Sequence, residues 1–169
     1  MIFIDESGLH LGITRAYGRA VGQERVKSLA PFNKGKRLTM IAAIGVTEIK
    51  TALYGNWHVD GDIFTDFIKK CLVPTLEPGQ IVIMDNLSTH KVVTIKPLIE
   101  GAGAQLIYLP PYSPDLTPIE LFWSKIKSFI KKQEARTVKK LGKAIKEAFK
   151  IITVEDLEGW FSHCGYSYQ

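Results

Sequence analysis

Three acidic residues stand where chemistry could use them. Asp5 closes a short apolar run at 2–5, Asp85 closes a second one at 81–85, and Glu120 follows a proline-rich loop at 110–118. Runs that are apolar on both faces belong at the centre of a sheet. Sites in open α/β sheets form beyond the ends of such strands. One acid at a strand end is ordinarily a turn or a helix cap; here two coincide. Glu120 has a plain structural explanation, because Thr117, Pro118 and Glu120 spell a capping box at a helix start. Yet Glu120, Ser124, Lys127 and Lys131 recur at i, i+4, i+7 and i+11, apart from the apolar stripe of Ile119, Phe122, Trp123, Ile126, Phe129 and Ile130.

Three carboxylates suit hard divalent cations. In-line displacement at a phosphodiester needs an activated nucleophile and a stabilised leaving oxygen, and two metal ions about 3.5–4 Å apart supply both. Magnesium and manganese take oxygen ligands and complete their shells with water and phosphate. No histidine or cysteine cluster is required. Cys71 and Cys164 are far apart and fit no metal-ligand pattern. Without a cation, the three carboxylates repel and raise one another's pKa.

The elements that must position these residues run in a clear order. Strands are expected at 2–5, over a polar stretch at 15–29 with glycine turns at Gly18 and Gly22, at 38–46, and at an edge over 51–55. A helix carries Ile63, Phe64, Phe67, Ile68, Cys71 and Leu72, capped by Asp60 or Asp62 and ended by Pro74 and Pro78. Strand 81–85, a helix over 89–100 and strand 105–109 follow, then helices near 118–133, 137–150 and 154–162. The natural packing is a mixed sheet covered by helices. There is no internal repeat and no long linker.

The chain of 169 residues is 46% hydrophobic and 23% charged, with a net charge of +5. That composition fits one globular domain. The charge is uneven. Ten lysines and arginines lie between Lys125 and Lys150, against only Glu134 and Glu147. Such a stretch is either a solvated helix face or a surface that tracks phosphates. No apolar stretch has membrane-spanning length, and MIFIDESG lacks a signal-peptide pattern, so the expected compartment is the cytoplasm, on the nucleoid if DNA is the partner.

Three motifs in order carry a resemblance: FIDESG at 3–8, IVIMDNLSTH at 81–90, and LPPYSPDLTPIELFW at 109–123, with 34 residues between Asp85 and Glu120. The chain resembles the DDE transposases of the mariner-like superfamily, in their bacterial insertion-sequence branch. The resemblance implies an RNase H-like fold, a mixed five-stranded sheet flanked by helices, as one catalytic domain over 1–169. It implies that Asp5, Asp85 and Glu120 are the catalytic triad and the ligands of two Mg²⁺ or Mn²⁺ ions. Asn86 and His90 match polar residues that orient the second aspartate or meet the DNA backbone, with helix capping and a plain surface role as equally ordinary readings; Lys127 and Lys131 are further expected DNA contacts. Trp123 reads as core, Asp115 as a turn acid, and Glu6, Asp60 and Asp62 as capping or surface acids. Thr117 stands where the family usually has asparagine, and Tyr17 and Ala20–Val21 where it often has tryptophan and proline. Members carry helix-turn-helix modules before the first aspartate. With Asp5 as the fifth residue, that region is expected to be absent here.

The function so implied is metal-dependent DNA strand cleavage and strand transfer in cut-and-paste transposition. The expected partners are double-stranded DNA, as transposon ends and as a target with a TA dinucleotide, and a second copy of the chain as a homodimer; no membrane is involved. Two other readings stay open: an RNase H-type nuclease or resolvase, and an inactive remnant serving as a DNA-binding or assembly module.

Overall fold

The computed structural model describes residues 1–15, 17–22, 25, 27, 31–110 and 113–166. Five strands form one sheet: β1 (Ile2–His10), β2 (Arg37–Ile44), β3 (Ile49–Gly55), β4 (Ile81–Met84) and β5 (Gln105–Tyr108). Their spatial order is β3-β2-β1-β4-β5. β1, β2 and β3 pair antiparallel, whereas β1–β4 and β4–β5 are parallel. The two apolar runs that end in aspartates are therefore neighbours near the sheet centre, as residues apolar on both faces require.

Side chains alternate across the sheet, and the sequence fills both faces. Phe3, Leu9, Met40, Ala42, Ile44 and Ile83 lie on one side, under α3 (Pro118–Gln133), α4 (Val138–Lys150) and α5 (Val154–His163). Ile2, Ile4, Ile41, Ala43, Val82 and Met84 lie on the other, under α1 (Gly61–Phe67) and α2 (Ile95–Gly101). The result is a three-layer α/β/α sandwich with two cores.

Three expectations need correction. β1 runs on to His10 rather than stopping at Asp5, because residues 5–10 keep pairing with β2 from Ala42 back to Arg37. The polar strand expected over 15–29 is not found among the described residues of that stretch, and Ala16, Gln23, Glu24, Val26, Ser28 and Leu29 lie outside them. β1 and β2 already satisfy one another's backbone, and the connection between them is tied at its base by Leu11 N–H to Lys36 O (3.1 Å) and Gly12 N–H to Lys34 O (2.8 Å). The helix expected over 89–100 splits into a 3₁₀ turn at Ser88–Lys91 and α2. The β-branched pair Val92–Val93 resists helix, whereas Pro97 is tolerated in the first turn of α2, where its missing N–H would have no partner.

α3 is the element that brings Glu120 to the sheet. Proline at its first position suits a helix start, and Ile119, Phe122, Trp123, Ile126 and Ile130 are all buried against the core. α1 is capped by the Asp60 carboxylate, which accepts from Ile63 N–H at 2.9 Å. If α3 is held by this stripe, Ile126→Ala, at a site 0% exposed, should cost about 2–5 kcal/mol, read as a lower midpoint in urea unfolding with an unchanged slope.

Candidate active site

The parallel register of β1 and β4 ends at Ile4↔Met84. The next residues are Asp5 and Asp85, so two carboxylates stand side by side where β4 leaves the sheet. Asp5 shares the face of Phe3, the face that α3 covers, and Glu120 lies in the first turn of α3. All three acids line one small cleft of about 40 Å³, with Phe3, Ile4, Met84, Leu109, Thr117 and Ile119.

The acids share the cleft without forming a closed ligand set. Among the described residues, no group of three His, Cys, Asp or Glu stands at metal-holding geometry. Each aspartate is instead turned to a donor of the protein, and Glu120 is exposed at the rim. Repulsion between like charges favours such spreading. The capping box proposed for Glu120 does not form. Thr117 is the N-cap residue, but its side chain makes no capping bond; a reciprocal box is instead built by Thr153 and Asp156 at the start of α5.

Asp5 accepts a hydrogen bond on Oδ2 from the indole Nε1–H of Trp123, at 2.9 Å. Trp123 is only 1% exposed and packs in the core. The core reading was right and incomplete, since the one polar atom of this side chain is spent on the candidate site. Burial pushes the Asp5 carboxyl up from 3.8 to about 7, with the charges of Glu6, Glu120 and Asp85 adding to it and the Glu6 backbone N–H opposing.

Asp85 is held differently. Its Oδ1 accepts from Leu87 N–H at 3.1 Å and contacts His90 Nδ1 at 2.5 Å. The imidazole contact is close but not aligned as a hydrogen bond, so it is best described as an ion pair. Among the described residues no hydrogen bond or ion pair falls on Oδ2. Burial alone would raise the Asp85 pKa; the close contact and charge of the His90 imidazole, with the Leu87 N–H, outweigh it and hold the group below the usual carboxylate range. His90 is 0% exposed, stacks on Phe64 at 4.2 Å, and turns Nε2 to Glu6 Oε2 at 2.8 Å. Burial works against the imidazolium, but Asp85 and Glu6 prevail and raise its pKa to about 9.

Of the other residues singled out from the sequence, Asn86 is half-buried in the loop after β4, and Lys127 and Lys131 are half-buried along α3. At 1.5 Å per residue, Lys131 lies roughly 16 Å along the helix from Glu120 on the same face. It helps line a groove of about 550 Å³ with Arg15, Arg19 and Lys132. Asp115 is exposed. Glu6, expected as a capping or surface acid, is neither, being 20% exposed and paired with His90. Alternation along β1 sends Glu6 to the sheet face opposite Asp5, but its partner lies 84 residues away, so only the fold reveals the pair.

Residues 1–142 match the family model described as DDE superfamily endonuclease. The chain belongs to the DDE superfamily endonucleases. Among curated proteins no significant match is found. The fold of this DDE endonuclease is similar to that of the Mos1 transposase paired-end complex with left transposon end, with a TM-score of 0.77 and 16% identity over 95% of this chain and 51% of that one. It is similar also to the Mos1 mariner paired-end complex with Mn, with a TM-score of 0.77 and 14% identity over 95% and 51%. The catalytic domain of Mos1 mariner transposase gives 0.68 and 13% identity over 95% of this chain and 74% of that one. The chain thus spans about half the length of the Mos1 chains it matches first. At this identity the likeness shows the fold, and the fold is RNase H-like, as the sequence motifs implied. No helix among the described residues is long and apolar enough to cross a membrane.

The raised Asp5 pKa has a measurable consequence. A carboxyl whose folded value exceeds its unfolded value contributes most below the unfolded value, near pH 4, and loses that contribution as pH rises through about 7. Metal-free Asp5→Asn should therefore be more stable than the parent at pH 8, by roughly 2–4 kcal/mol after allowance for solvent. The gap should close by about pH 4. Thermal melts in chelator across pH 4–8 check this; a gap that does not vary with pH would contradict the burial argument.

Proposed function

We propose that this endonuclease-family domain is the catalytic domain of a DNA transposase, with Asp5, Asp85 and Glu120 holding two divalent cations. The observation that carries the reading is the convergence of one aspartate from each of two adjacent parallel strands with a glutamate from a helix start, in a single cleft. The donor set fits Mg²⁺ or Mn²⁺: every candidate ligand is a hard oxygen, and burial first, then the charges of Glu6, Glu120 and Asp85, raise the Asp5 pKa, a cost that a bound cation would offset. When bound, two such ions would activate the attacking oxygen and stabilise the leaving one.

The chain's own residues do the rest. Trp123 holds Asp5 from the core side, and the exposed Glu120 closes the rim. The phosphate path runs from the cleft along the Glu120 face to Lys127 and Lys131 and the groove of Arg15, Arg19 and Lys132. A second groove of about 550 Å³, beside Tyr54, carries Lys139, Lys143, Lys146 and Lys150 of α4. These charges suit duplex DNA bound through its phosphates, with little sequence preference. Water attacks the scissile phosphorus and frees a 3′-hydroxyl; that hydroxyl then attacks a phosphorus of the target duplex and displaces its 3′-oxygen. A TA target and a homodimer remain expectations from the family resemblance. The Mos1 complexes with transposon ends and with Mn support the same assignment.

Incubation with Mn²⁺, a pre-cut duplex bearing a 3′-hydroxyl and a supercoiled plasmid tests the proposal. Joined products are expected from the parent chain and none from Asp85→Ala; Mn²⁺-dependent nicking with no joining would reassign the domain to the nucleases. In filter binding across a salt series, Lys127→Ala with Lys131→Ala should lower the slope of log K against log salt by about two, roughly one per phosphate contact. An unchanged slope would make this face a solvated helix surface.

A further inference from the structure

We propose that Glu6 and His90 are positioning residues that fix Asp85 for cation binding from the opposite side of the sheet. The inference rests on the metal-binding reading above and adds two residues to it that are not ligands. The geometry excludes Glu6 from the cleft itself. It follows Asp5 directly in β1, so its side chain leaves the sheet on the other face, where it meets His90 at 2.8 Å.

His90 joins the two elements. Its backbone lies in the 3₁₀ turn at Ser88–Lys91. The ring is completely enclosed, stacked on Phe64 of α1, and its two nitrogens reach carboxylates on different strands, Glu6 of β1 and Asp85 at the end of β4. The backbone of the same turn is held by the hydroxyl of Tyr108, which donates to His90 O at 2.8 Å. Asp85 directly follows the last residue of β4. Both of its contacts fall on Oδ1. The effect is to select one oxygen for the protein and leave the other without a hydrogen bond or ion pair among the described residues, beside a cleft that Asp5 also lines. Carboxylates that are themselves anchored hold metal more tightly, and loss of such outer support commonly costs about 10–100-fold in affinity.

The test is Mn²⁺ binding by the folded chain, followed by the electron paramagnetic resonance signal of free Mn²⁺, which needs no catalysis. Parent, Glu6→Ala, Glu6→Gln and His90→Gln are compared, with the Asp5→Ala, Asp85→Ala double variant as the control for site binding. Glu6→Ala should weaken Mn²⁺ about tenfold. Glu6→Gln keeps an acceptor oxygen for the His90 N–H and should recover to within about threefold of the parent. His90→Gln should weaken binding at least as much as Glu6→Ala, and thermal melts in chelator should show each single variant folded. Affinity unchanged in Glu6→Ala overturns the proposal. So does equal weakening in Glu6→Ala and Glu6→Gln, which would show a long-range effect of the Glu6 charge in place of positioning. If the parent binds Mn²⁺ no better than the double variant, the metal-binding reading itself fails, an outcome distinct from either of these. His90→Gln that is unfolded leaves the Glu6 pair to decide.

Discussion

The cleft depends on a carboxylate held inside a sheet. Asp5 sits in the middle of β1, flanked on its own face by Phe3 at 1% exposure and by Ser7 at 7%, a face that α3 covers. Burying an acid there is unfavourable in its charged form, and the surroundings respond at several points. The backbone N–H of Glu6 supports the charge. The indole of Trp123, otherwise an apolar filler of the core, directs its one donor at the same carboxylate. The rest of the molecule reads as the scaffold that makes this arrangement persist: a sheet apolar on both faces, and a helix whose buried stripe passes directly over it.

The two aspartates occupy adjacent register positions and are driven in opposite directions. Asp5 is raised to about 7 by burial and by its acidic neighbours. Asp85 is lowered, since His90 and Leu87 more than offset its own burial. The difference comes from which side of the sheet each consults. Asp5 faces the α3 core, which offers one neutral donor. Asp85 has left the sheet and can reach across to a charged ring on the α1 side. Near neutral pH the metal-free cleft thus holds one firmly ionised aspartate and one divided between its two forms, which lessens repulsion between them.

Much of this was legible in the sequence, and what was missed follows one rule. Apolar runs with acids at their ends located β1 and β4, and the stripe in α3 placed its buried face correctly, because burial patterns are local. The true extent of β1 was hidden because residues 6–10, Leu9 apart, are polar or small; only their pairing with β2 makes them strand. The Glu120 capping box looked sound by spacing, yet it was built at Thr153 and Asp156 instead. Trp123 and Glu6 show the limit most plainly. Each was assigned from its own neighbourhood, and each acts through a partner far off in sequence, Trp123 on Asp5 at a separation of 118 and Glu6 on His90 at 84.

That limit bears on how a cleft of this kind is held. The three acids are displayed on a strand, a strand end and a helix start, and no hydrogen bond joins one acid to another among the described residues. Their relative placement is therefore only as firm as the contacts behind them: the α3 stripe behind Glu120, Trp123 behind Asp5, His90 and Glu6 behind Asp85. Two of these supports lie within the α3 core and the third lies on the opposite face of the sheet. A change on either side of the sheet can therefore reach the cleft, through Phe122 and Ile126 on one side and through Phe64 on the other. Residues that never touch a ligand are thus part of the site's construction, and the acids in the cleft mark only its surface.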